Sequence, residues 1–180
     1  MEPPRSLPAH FPHSLPRYAP LATQDSAQHH LLVVATAEPD AMSILPALAG
    51  DLTGRHTLLL QGGEDDGAAR TLDHALAAAL DQAPAGTHLY LTGPEPRIWA
   101  LWNVARSAGL APDAIQLAPT RRHLRQVYCV HCARQHLAPA AEALTDCPHC
   151  GVALGVRQHF SRRLGAYLGV AARAEQGGQP

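Results

Sequence analysis

Apolar and polar positions between residues 30 and 118 follow two alternating patterns. Short apolar runs end at Pro or Gly, as buried strands do, and the stretches between them place apolar residues at helical spacing. The pattern predicts strands at 31–36, 56–61, 87–92 and 114–117 and helices at 41–49, 68–82 and 98–109. Alternating strands and helices are joined by crossovers, which favour a parallel sheet with helices on its faces. We therefore predict a small doubly wound, mostly parallel α/β domain at 30–118.

The N-terminal segment has a different pattern. Six prolines fall within the first twenty residues, which forbids a helix and favours extended backbone. Residues 1–29 are therefore predicted to form a Pro-rich tail. Its apolar residues lie along a groove on a partner subunit in one interpretation and belong to a floppy leader in the other. They are Leu7, Phe11, Leu15 and Tyr18.

The remainder of the chain is predicted to form a basic linker at 119–126, a second module at 127–172 and a flexible tail at 173–180. Residues 152–156 have the composition of a strand, and a C-terminal helix is predicted over 159–170. The prediction of this helix is based on an apolar stripe at helical spacing. The stripe consists of Phe160, Leu164, Tyr167 and Leu168. Such a helix either covers its own module or docks onto a partner subunit through the stripe and the arginines beside it, Arg157, Arg162 and Arg163.

All four cysteines of the chain lie in two Cys-x-x-Cys pairs separated by fourteen residues. In a reducing compartment this spacing indicates a tetrahedral metal site rather than two disulfides. Two thiolates three residues apart on a tight turn converge on one ion, and two such turns close its coordination shell. The predicted metal ligands are Cys129, Cys132, Cys147 and Cys150.

A closed shell of four thiolates leaves no open position for water or substrate, so the site is predicted to be structural. Zinc is the predicted metal, and a zinc ribbon is the predicted module. A single iron of the rubredoxin type stays open as an alternative, because residues 147–151 form the sequence Cys-Pro-His-Cys-Gly. No constellation suggests a nucleophile or an acid–base pair, so no catalytic and no cofactor-binding residue is predicted. The histidines are interpreted as surface or interface residues.

Composition and charge narrow the class of protein. No apolar run approaches the roughly 20 residues of a membrane span, and the start of the chain lacks the apolar core of a secretory signal peptide. A cytoplasmic protein is therefore expected. Residues 21–120 carry eleven acids against four Arg, and residues 121–180 carry eight Arg against three acids. The basic last third suits nucleic acid, but the absence of Lys and the scarcity of aromatic side chains argue against such a partner.

One stretch resembles a family of flavoenzymes. The strand at 87–92, followed by Gly93, Pro94 and an apolar helix, resembles the end of the nucleotide-binding domain of ferredoxin-reductase-type enzymes. Those enzymes carry a glycine-rich turn for pyrophosphate after their first strand, whereas residues 35–40 contain no glycine, two acids and a proline. We therefore expect a reductase-like fold that has lost nucleotide binding.

The last third resembles the small subunit of bacterial dimethylamine monooxygenase, through residues 127–132, 147–151 and 156–170. The resemblance implies an accessory subunit of a multisubunit, NADPH-dependent enzyme that oxidises dimethylamine to methylamine and formaldehyde. It also implies haem, flavin and an iron–sulfur cluster on catalytic and reductase partner subunits only, so this chain is not expected to be catalytic on its own. The alternatives are a one-iron electron-transfer protein and a nucleic-acid-binding zinc ribbon.

Overall fold

The computed structural model describes residues 14–37, 48, 52, 56–63 and 65–172. They form a four-stranded sheet with two long helices in the first part of the chain and a five-stranded sheet in the second. The predicted helix at 41–49, Leu48 excepted, and the predicted tail at 173–180 lie outside the described residues.

The first sheet consists of four parallel strands in the order β2-β1-β3-β4. They are β1 (His29–Val34), β2 (His56–Gln61), β3 (Thr87–Pro94) and β4 (Ile115–Thr120). The central strands β1 and β3 are buried along almost their whole length, as strands covered on both faces are. The predicted parallel α/β sheet is therefore confirmed. Most of the connection from β1 to β2 lies outside the described residues, so the doubly wound arrangement stays a prediction.

Two helices, α1 (Asp66–Asp81) and α2 (Glu95–Ser107), cover one face of this sheet. α1 begins where the Asp65 side chain accepts hydrogen bonds from the N–H groups of Gly67 and Ala68, a cap that contributes about 1 kcal/mol. The opposite face has a separate core, formed by Leu32, Val34, Leu48, Leu52 and Tyr90. Within the described residues, neither helix combines the length and the apolar composition needed to cross a membrane.

The second sheet has the strand order β6-β5-β9-β8-β7. Its strands are β5 (Leu124–Cys129), β6 (Gln135–Pro139), β7 (Leu144–Asp146), β8 (Ala153–Ser161) and β9 (Ala166–Ala171). All neighbours are antiparallel except β5 and β9, which run parallel. This sheet corresponds to the second module predicted from the sequence, and we call residues 124–172 the cysteine module.

The structure corrects the prediction of a C-terminal helix at 159–170. These residues belong to a hairpin of β8 and β9, in which Phe160 pairs with Tyr167. Two glycines account for the difference, since Gly165 adopts a φ of 61° in the turn and a Cβ on Gly169 would lie 2.8 Å from a methyl carbon of Val127. Each glycine also disfavours a helix by about 1 kcal/mol relative to alanine. Strand pairing therefore prevails over the helical spacing of the apolar residues.

The predicted basic linker at 119–126 is also wrong. β4 extends to Thr120 and β5 begins at Leu124, so only residues 121–123 connect the two sheets. Arg121 takes a left-handed conformation with a φ of 50°, and its carbonyl accepts the Leu124 N–H at 3.1 Å. A tight turn therefore leads directly from one sheet into the other.

The described part of the predicted Pro-rich tail packs on this chain's own sheet, and we call residues 14–28 the strap. Leu15 and Tyr18 contact the core beneath α1 and α2. The side-chain amide of Gln116 forms two hydrogen bonds with the backbone of Ala22. It accepts the Ala22 N–H at 2.9 Å and donates to the Ala22 carbonyl at 2.8 Å. Leu15 and Tyr18 therefore lie neither on a partner subunit nor in a floppy leader, and Leu7 and Phe11 fall outside the described residues.

Candidate metal centre

Two turns of the cysteine module carry the four cysteines. Cys129 ends β5 and Cys132 lies in the turn to β6, while Cys147 follows β7 and Cys150 lies in the turn to β8. Because β5 and β8 both pair with β9, the sheet brings the two turns together although fourteen residues separate the pairs.

The four sulfur atoms form one cluster, with all Sγ atoms within 4.8 Å of one another. The Sγ atoms of Cys129 and Cys150 are 3.8 Å apart, and those of Cys132 and Cys147 are 3.7 Å apart. A disulfide needs about 2.05 Å between its sulfurs, and all four residues are free thiols. A tetrahedron with zinc–sulfur bonds of about 2.3 Å has edges of about 3.8 Å. The donor set therefore fits a single tetrahedral ion.

The two cysteine turns share one backbone geometry. In each, the residue four positions after the first cysteine is left-handed and donates its N–H to the carbonyl of that cysteine. Ala133, with a φ of 57°, donates to Cys129 at 2.9 Å, and Gly151, with a φ of 71°, donates to Cys147 at 2.8 Å. This repeated turn is the physical reason that the sequence spacing brings each pair of thiols to one side.

The two thiols of the second turn differ in pKa. The Val152 N–H lowers the pKa of Cys150, but burial and hydrogen bonds with the neighbouring thiols outweigh it and raise this pKa to about 12, whereas Cys147 favours the thiolate. Burial raises the pKa of the Cys147 thiol, but hydrogen bonds from the backbone N–H groups of His149 and Cys150, together with those from the Cys150 and Cys132 thiols, outweigh burial and lower this pKa to about 6. The thiolate is the form of cysteine that binds metals. Cys147 is therefore prepared to act as a ligand near neutral pH.

Apolar side chains enclose the inner side of the cluster. Cys129 and Cys147 are buried against Val127, Ala138 and Leu154, whereas Cys132 and Cys150 are half-buried. This core contains few large side chains, so a bound metal would contribute a substantial part of the folding free energy of the cysteine module.

The histidines inside the two pairs do not converge with the thiols. His131 is exposed, and His149 Nε2 contacts the Gln135 carbonyl at 3.2 Å. By contrast, His30 and His136 are buried, which corrects their interpretation as surface or interface residues. His30 bridges the strap and the sheet, since its ring nitrogens lie 3.1 Å from the Tyr90 hydroxyl and 3.1 Å from the Ala27 carbonyl.

The cysteine module is anchored on α2 by an aromatic cluster. Phe160 is only 3% exposed, and its ring centroid lies 5.1 Å from that of Trp99 and 5.0 Å from that of Tyr167. Asn103 on α2 donates to the carbonyl of Arg162 at 3.1 Å. The interpretation in which Phe160 docks onto a partner subunit is therefore wrong, because Phe160 packs inside this chain.

A half-buried polar cluster that sequence analysis missed lies where the strap, α2 and β9 meet. Tyr18 donates its hydroxyl hydrogen to Glu95 Oε1 at 2.5 Å, and Trp99 Nε1 donates to the Tyr18 oxygen at 2.8 Å. Burial raises the pKa of Tyr18 and of Glu95, and it raises the pKa of Tyr167 to about 12. Tyr18 and Glu95 are 77 positions apart in the chain, so no local motif could indicate this cluster.

Parallel sheets bind ligands at the carboxyl ends of their strands, and here two of those ends pack directly together. The Ala35 N–H donates to the Thr92 carbonyl at 2.8 Å, and a Cβ on Gly93 would lie 2.9 Å from the Cβ of Ala35. Residues 38–40 lie outside the described residues. The loss of nucleotide binding expected from residues 35–40 stays a prediction.

The cysteine module matches a known family model. Residues 126–170 match a family model described as dimethylamine monooxygenase subunit DmmA-like, C-terminal domain, which confirms the resemblance noted in the sequence. Among solved structures, the chain is similar to phthalate dioxygenase reductase, described as a modular structure for electron transfer from pyridine nucleotides to 2Fe-2S. That similarity has a TM-score of 0.41 and 10% identity and covers 68% of this chain and 47% of the other.

A curated relative matches nearly the whole chain. It is the heme-dependent oxidative N-demethylase delta subunit of Ectopseudomonas mendocina (strain ymp), 40% identical over 171 residues, and the match covers 95% of both chains. Such identity along the full length includes the strap, the α/β sheet and the cysteine module alike. This chain therefore belongs to the family of heme-dependent oxidative N-demethylase delta subunits.

Proposed function

We propose that this chain is a non-catalytic accessory subunit of a multisubunit, NADPH-dependent dimethylamine monooxygenase, which converts dimethylamine to methylamine and formaldehyde. The observation that carries the proposal is the match, over 95% of the chain, to a protein named as a delta subunit of an oxidative N-demethylase. Haem, flavin and an iron–sulfur cluster belong to the catalytic and reductase subunits of this assembly. The four cysteines, already arranged as one tetrahedral donor set, supply this chain's only proposed cofactor site.

One zinc ion stabilises the fold of the cysteine module. Its proposed ligands are Cys129, Cys132, Cys147 and Cys150. A closed shell of four thiolates has no position for substrate, and this supports a structural role. The ion would hold together a small core that includes Val127 and Leu154, so the module that stabilises the assembly would depend on the metal for its fold.

Elemental analysis of the purified full chain tests the metal. We expect one zinc per chain and no absorption in the visible range. Replacing Cys129 or Cys147 by Ser is expected to release that metal and to unfold residues 127–157. Retention of metal and of solubility in both variants would contradict the four-thiolate site.

A one-iron electron-transfer protein is the alternative, because iron also takes a tetrahedral set of four thiolates. The turn at Cys147, Pro148 and Gly151 is the observation that favours it, since this sequence also suits a rubredoxin-type centre. A coloured protein that contains one iron, with an absorption that bleaches on reduction, would replace the zinc assignment with this one.

Nucleic-acid binding is disfavoured by the way that the aromatic residues are used. Bases stack on exposed aromatic side chains, but Trp99, Phe160 and Tyr167 pack against one another between the α/β sheet and the cysteine module. Purification distinguishes the two functions, because an accessory subunit is expected to copurify with larger oxidoreductase subunits and to bind no nucleic acid.

The α/β sheet is proposed to be a doubly wound, reductase-like fold that no longer binds nucleotides. The direct packing of Ala35 against Gly93 supports this, together with the acids at residues 38 and 40. Calorimetry is expected to detect no binding of NADH or NADPH to the isolated chain, and micromolar affinity would contradict the proposal. We also propose a cytoplasmic location, because metal-binding thiols of this spacing suit a reducing compartment.

A further inference from the structure

A cavity of about 270 Å³ lies where the strap, α2, β5 and β9 meet, and we call it the polar cavity. At about 30 Å³ for each water, this volume holds about nine waters or one small molecule. Its polar lining consists of Tyr18, Glu95, Arg122, Arg125 and Tyr167. The polar cavity is separate from the cysteine cluster and has no part in the function proposed above.

One side of the polar cavity presents a carboxylate with a free oxygen. Glu95 accepts the Tyr18 hydroxyl through Oε1. Within the described part of the chain, its second oxygen, Oε2, makes no hydrogen bond or ion pair. Tyr18 is in turn held by Trp99, so the carboxylate has a fixed orientation. This side therefore offers an acceptor to a cationic or hydrogen-bond-donating group.

The other side presents two guanidinium groups. Arg122 lies 6.0 Å from the ring centroid of Tyr18, and Arg125 lies 5.6 Å from that of Tyr167. Arg125 donates one Nη2 hydrogen bond to the Glu142 carbonyl, while its buried Nε has no partner. Among the described residues, no ion pair joins either arginine to Glu95. Opposite charges therefore line one cavity without neutralising each other by direct contact.

This separation of charges selects the class of ligand. A simple anion would bind the two guanidinium groups but be repelled by the Glu95 carboxylate, and a simple cation would bind that carboxylate but be repelled by both guanidinium groups. A molecule with both charges satisfies both sides. We propose that the polar cavity binds a small zwitterion of the amino-acid type, with its ammonium group on Glu95 and its carboxylate on Arg122 and Arg125. Pro119 and Leu124 supply an apolar wall for the short carbon chain between the charges.

Calorimetry on the full chain, with its metal bound and at low ionic strength, tests this proposal. The zwitterionic probes are glycine, β-alanine and 4-aminobutyrate, which differ in the distance between their charges. Propionate and propylammonium are the probes with a single charge. At least one zwitterion is expected to bind at least tenfold more tightly than both singly charged probes. Equal binding of propionate and the best zwitterion would overturn the proposal, and so would the absence of binding by all three zwitterions.

Three variants locate the binding. Glu95→Gln and Arg122→Gln each remove one charge of the polar cavity and are expected to abolish the tenfold preference for the zwitterion. Arg70→Gln removes an exposed arginine of α1 outside the cavity and is the matched control, expected to bind like the wild type. Tryptophan fluorescence gives a second readout, because Trp99 is hydrogen-bonded to Tyr18; Trp102→Phe removes the signal of the neighbouring tryptophan. If Glu95→Gln fails to fold, exposed Arg122 still decides the question, since unchanged binding by Arg122→Gln would contradict the proposed site.

Discussion

Ala133 and Gly151 occupy equivalent positions in the two cysteine turns, yet only one of them is a glycine. Both have a positive φ and both donate their N–H to the first cysteine of the pair. A left-handed backbone costs a residue with a Cβ about 1–2 kcal/mol, whereas glycine adopts it freely. The first turn therefore contains strain that the second turn avoids.

This difference predicts opposite effects for two reciprocal substitutions. Ala133→Gly is expected to raise the free energy of unfolding by about 1 kcal/mol, and Gly151→Ala is expected to lower it by about the same amount. No atom lies within 4 Å of a Cβ built on Gly151, so the second effect comes from the backbone alone. Urea unfolding of the metal-loaded chain measures both. The same sign for both substitutions would contradict the equivalence of the turns.

At the scale of residues, sequence analysis succeeds where a local spacing carries the chemistry. The four cysteines converge because each pair needs only its own turn, and the sequence contains both turns. The interactions of Tyr18, Glu95 and Arg125 could not be predicted in this way. These residues belong to the strap, α2 and β5, and only the tertiary fold brings them to one cavity. For the same reason, the contact between His30 and Tyr90, 60 positions apart, has no signal in the neighbouring residues. His88 is buried within β3.

Buried His88 also makes the stability of the chain depend on pH. Burial, with a further contribution from the nearby His30, lowers the pKa of His88 below its usual value. The unfolded chain, in which a histidine has a pKa of about 6.5, therefore takes up a proton more readily than the folded chain. Burial of neutral His88 therefore does not reduce the free energy of unfolding above pH 6.5. Below that value, this free energy declines as the pH falls.

His88→Gln is expected to reduce this loss of stability in acid. The Gln side chain does not ionise, and it retains a group that can hydrogen-bond to Gln116, which lies 3.1 Å from His88 Nε2. Urea unfolding at pH 8 and at pH 5.5, with saturating metal, gives the change in unfolding free energy for the wild type and for the variant. An equal change in the two proteins would show that His88 does not contribute.

At the scale of elements, periodicity predicts β1, β3, α1 and α2 because each of them carries its own run or stripe of buried apolar residues, and it also predicts β2, although Leu58 and Leu59 are exposed. It fails at β8 and β9. These two strands form a hairpin with a four-residue turn at 162–165. Their apolar residues fall at helical spacing by coincidence. The close approach of Gly169 to Val127 is the stronger signal, but its meaning depends on the position of β5 in the sheet. Helical spacing with two interior glycines is therefore an ambiguous pattern.

Within the cysteine module, the β8–β9 hairpin contacts α2, and Phe160 lies at the centre of this contact. Phe160→Ala is expected to lower the free energy of unfolding by about 3–5 kcal/mol, because it leaves a cavity beside Trp99. Leu168→Ala, at a half-buried position of the same hairpin, is the control and is expected to cost less. Denaturant unfolding compares the two, with metal content measured in parallel. A loss below 1 kcal/mol at Phe160 would mean that the two sheets are not coupled through this contact.

At the scale of the whole molecule, the uneven charge distribution stays relevant to partner binding, because it does not depend on whether residues 159–170 form a helix or strands. Arg134, Arg157 and Arg163 remain exposed on the cysteine module, whereas the apolar residue expected to anchor a partner, Phe160, is buried. The two edge strands β6 and β7 add exposed apolar side chains, with Leu137 57% and Leu144 65% accessible. If a partner subunit docks on this module, arginine and edge-strand contacts take the place of the predicted apolar stripe.

Charge reversal tests this docking surface within the proposed assembly. Arg157→Glu combined with Arg163→Glu places two acids where carboxylates of a larger oxidoreductase subunit are expected, and like charges across an interface cost several kcal/mol. The double variant is therefore expected to lose at least 90% of its recovery in a pull-down with the other subunits. Arg70→Glu, an exposed position on α1 far along the chain, is the matched control and is expected to be recovered like the wild type. Metal content is measured in all three proteins, because both arginines lie outside the cysteine turns and the site should stay loaded. Full recovery of the double variant would exclude these arginines from the interface and direct the search to the edge strands and the α/β sheet.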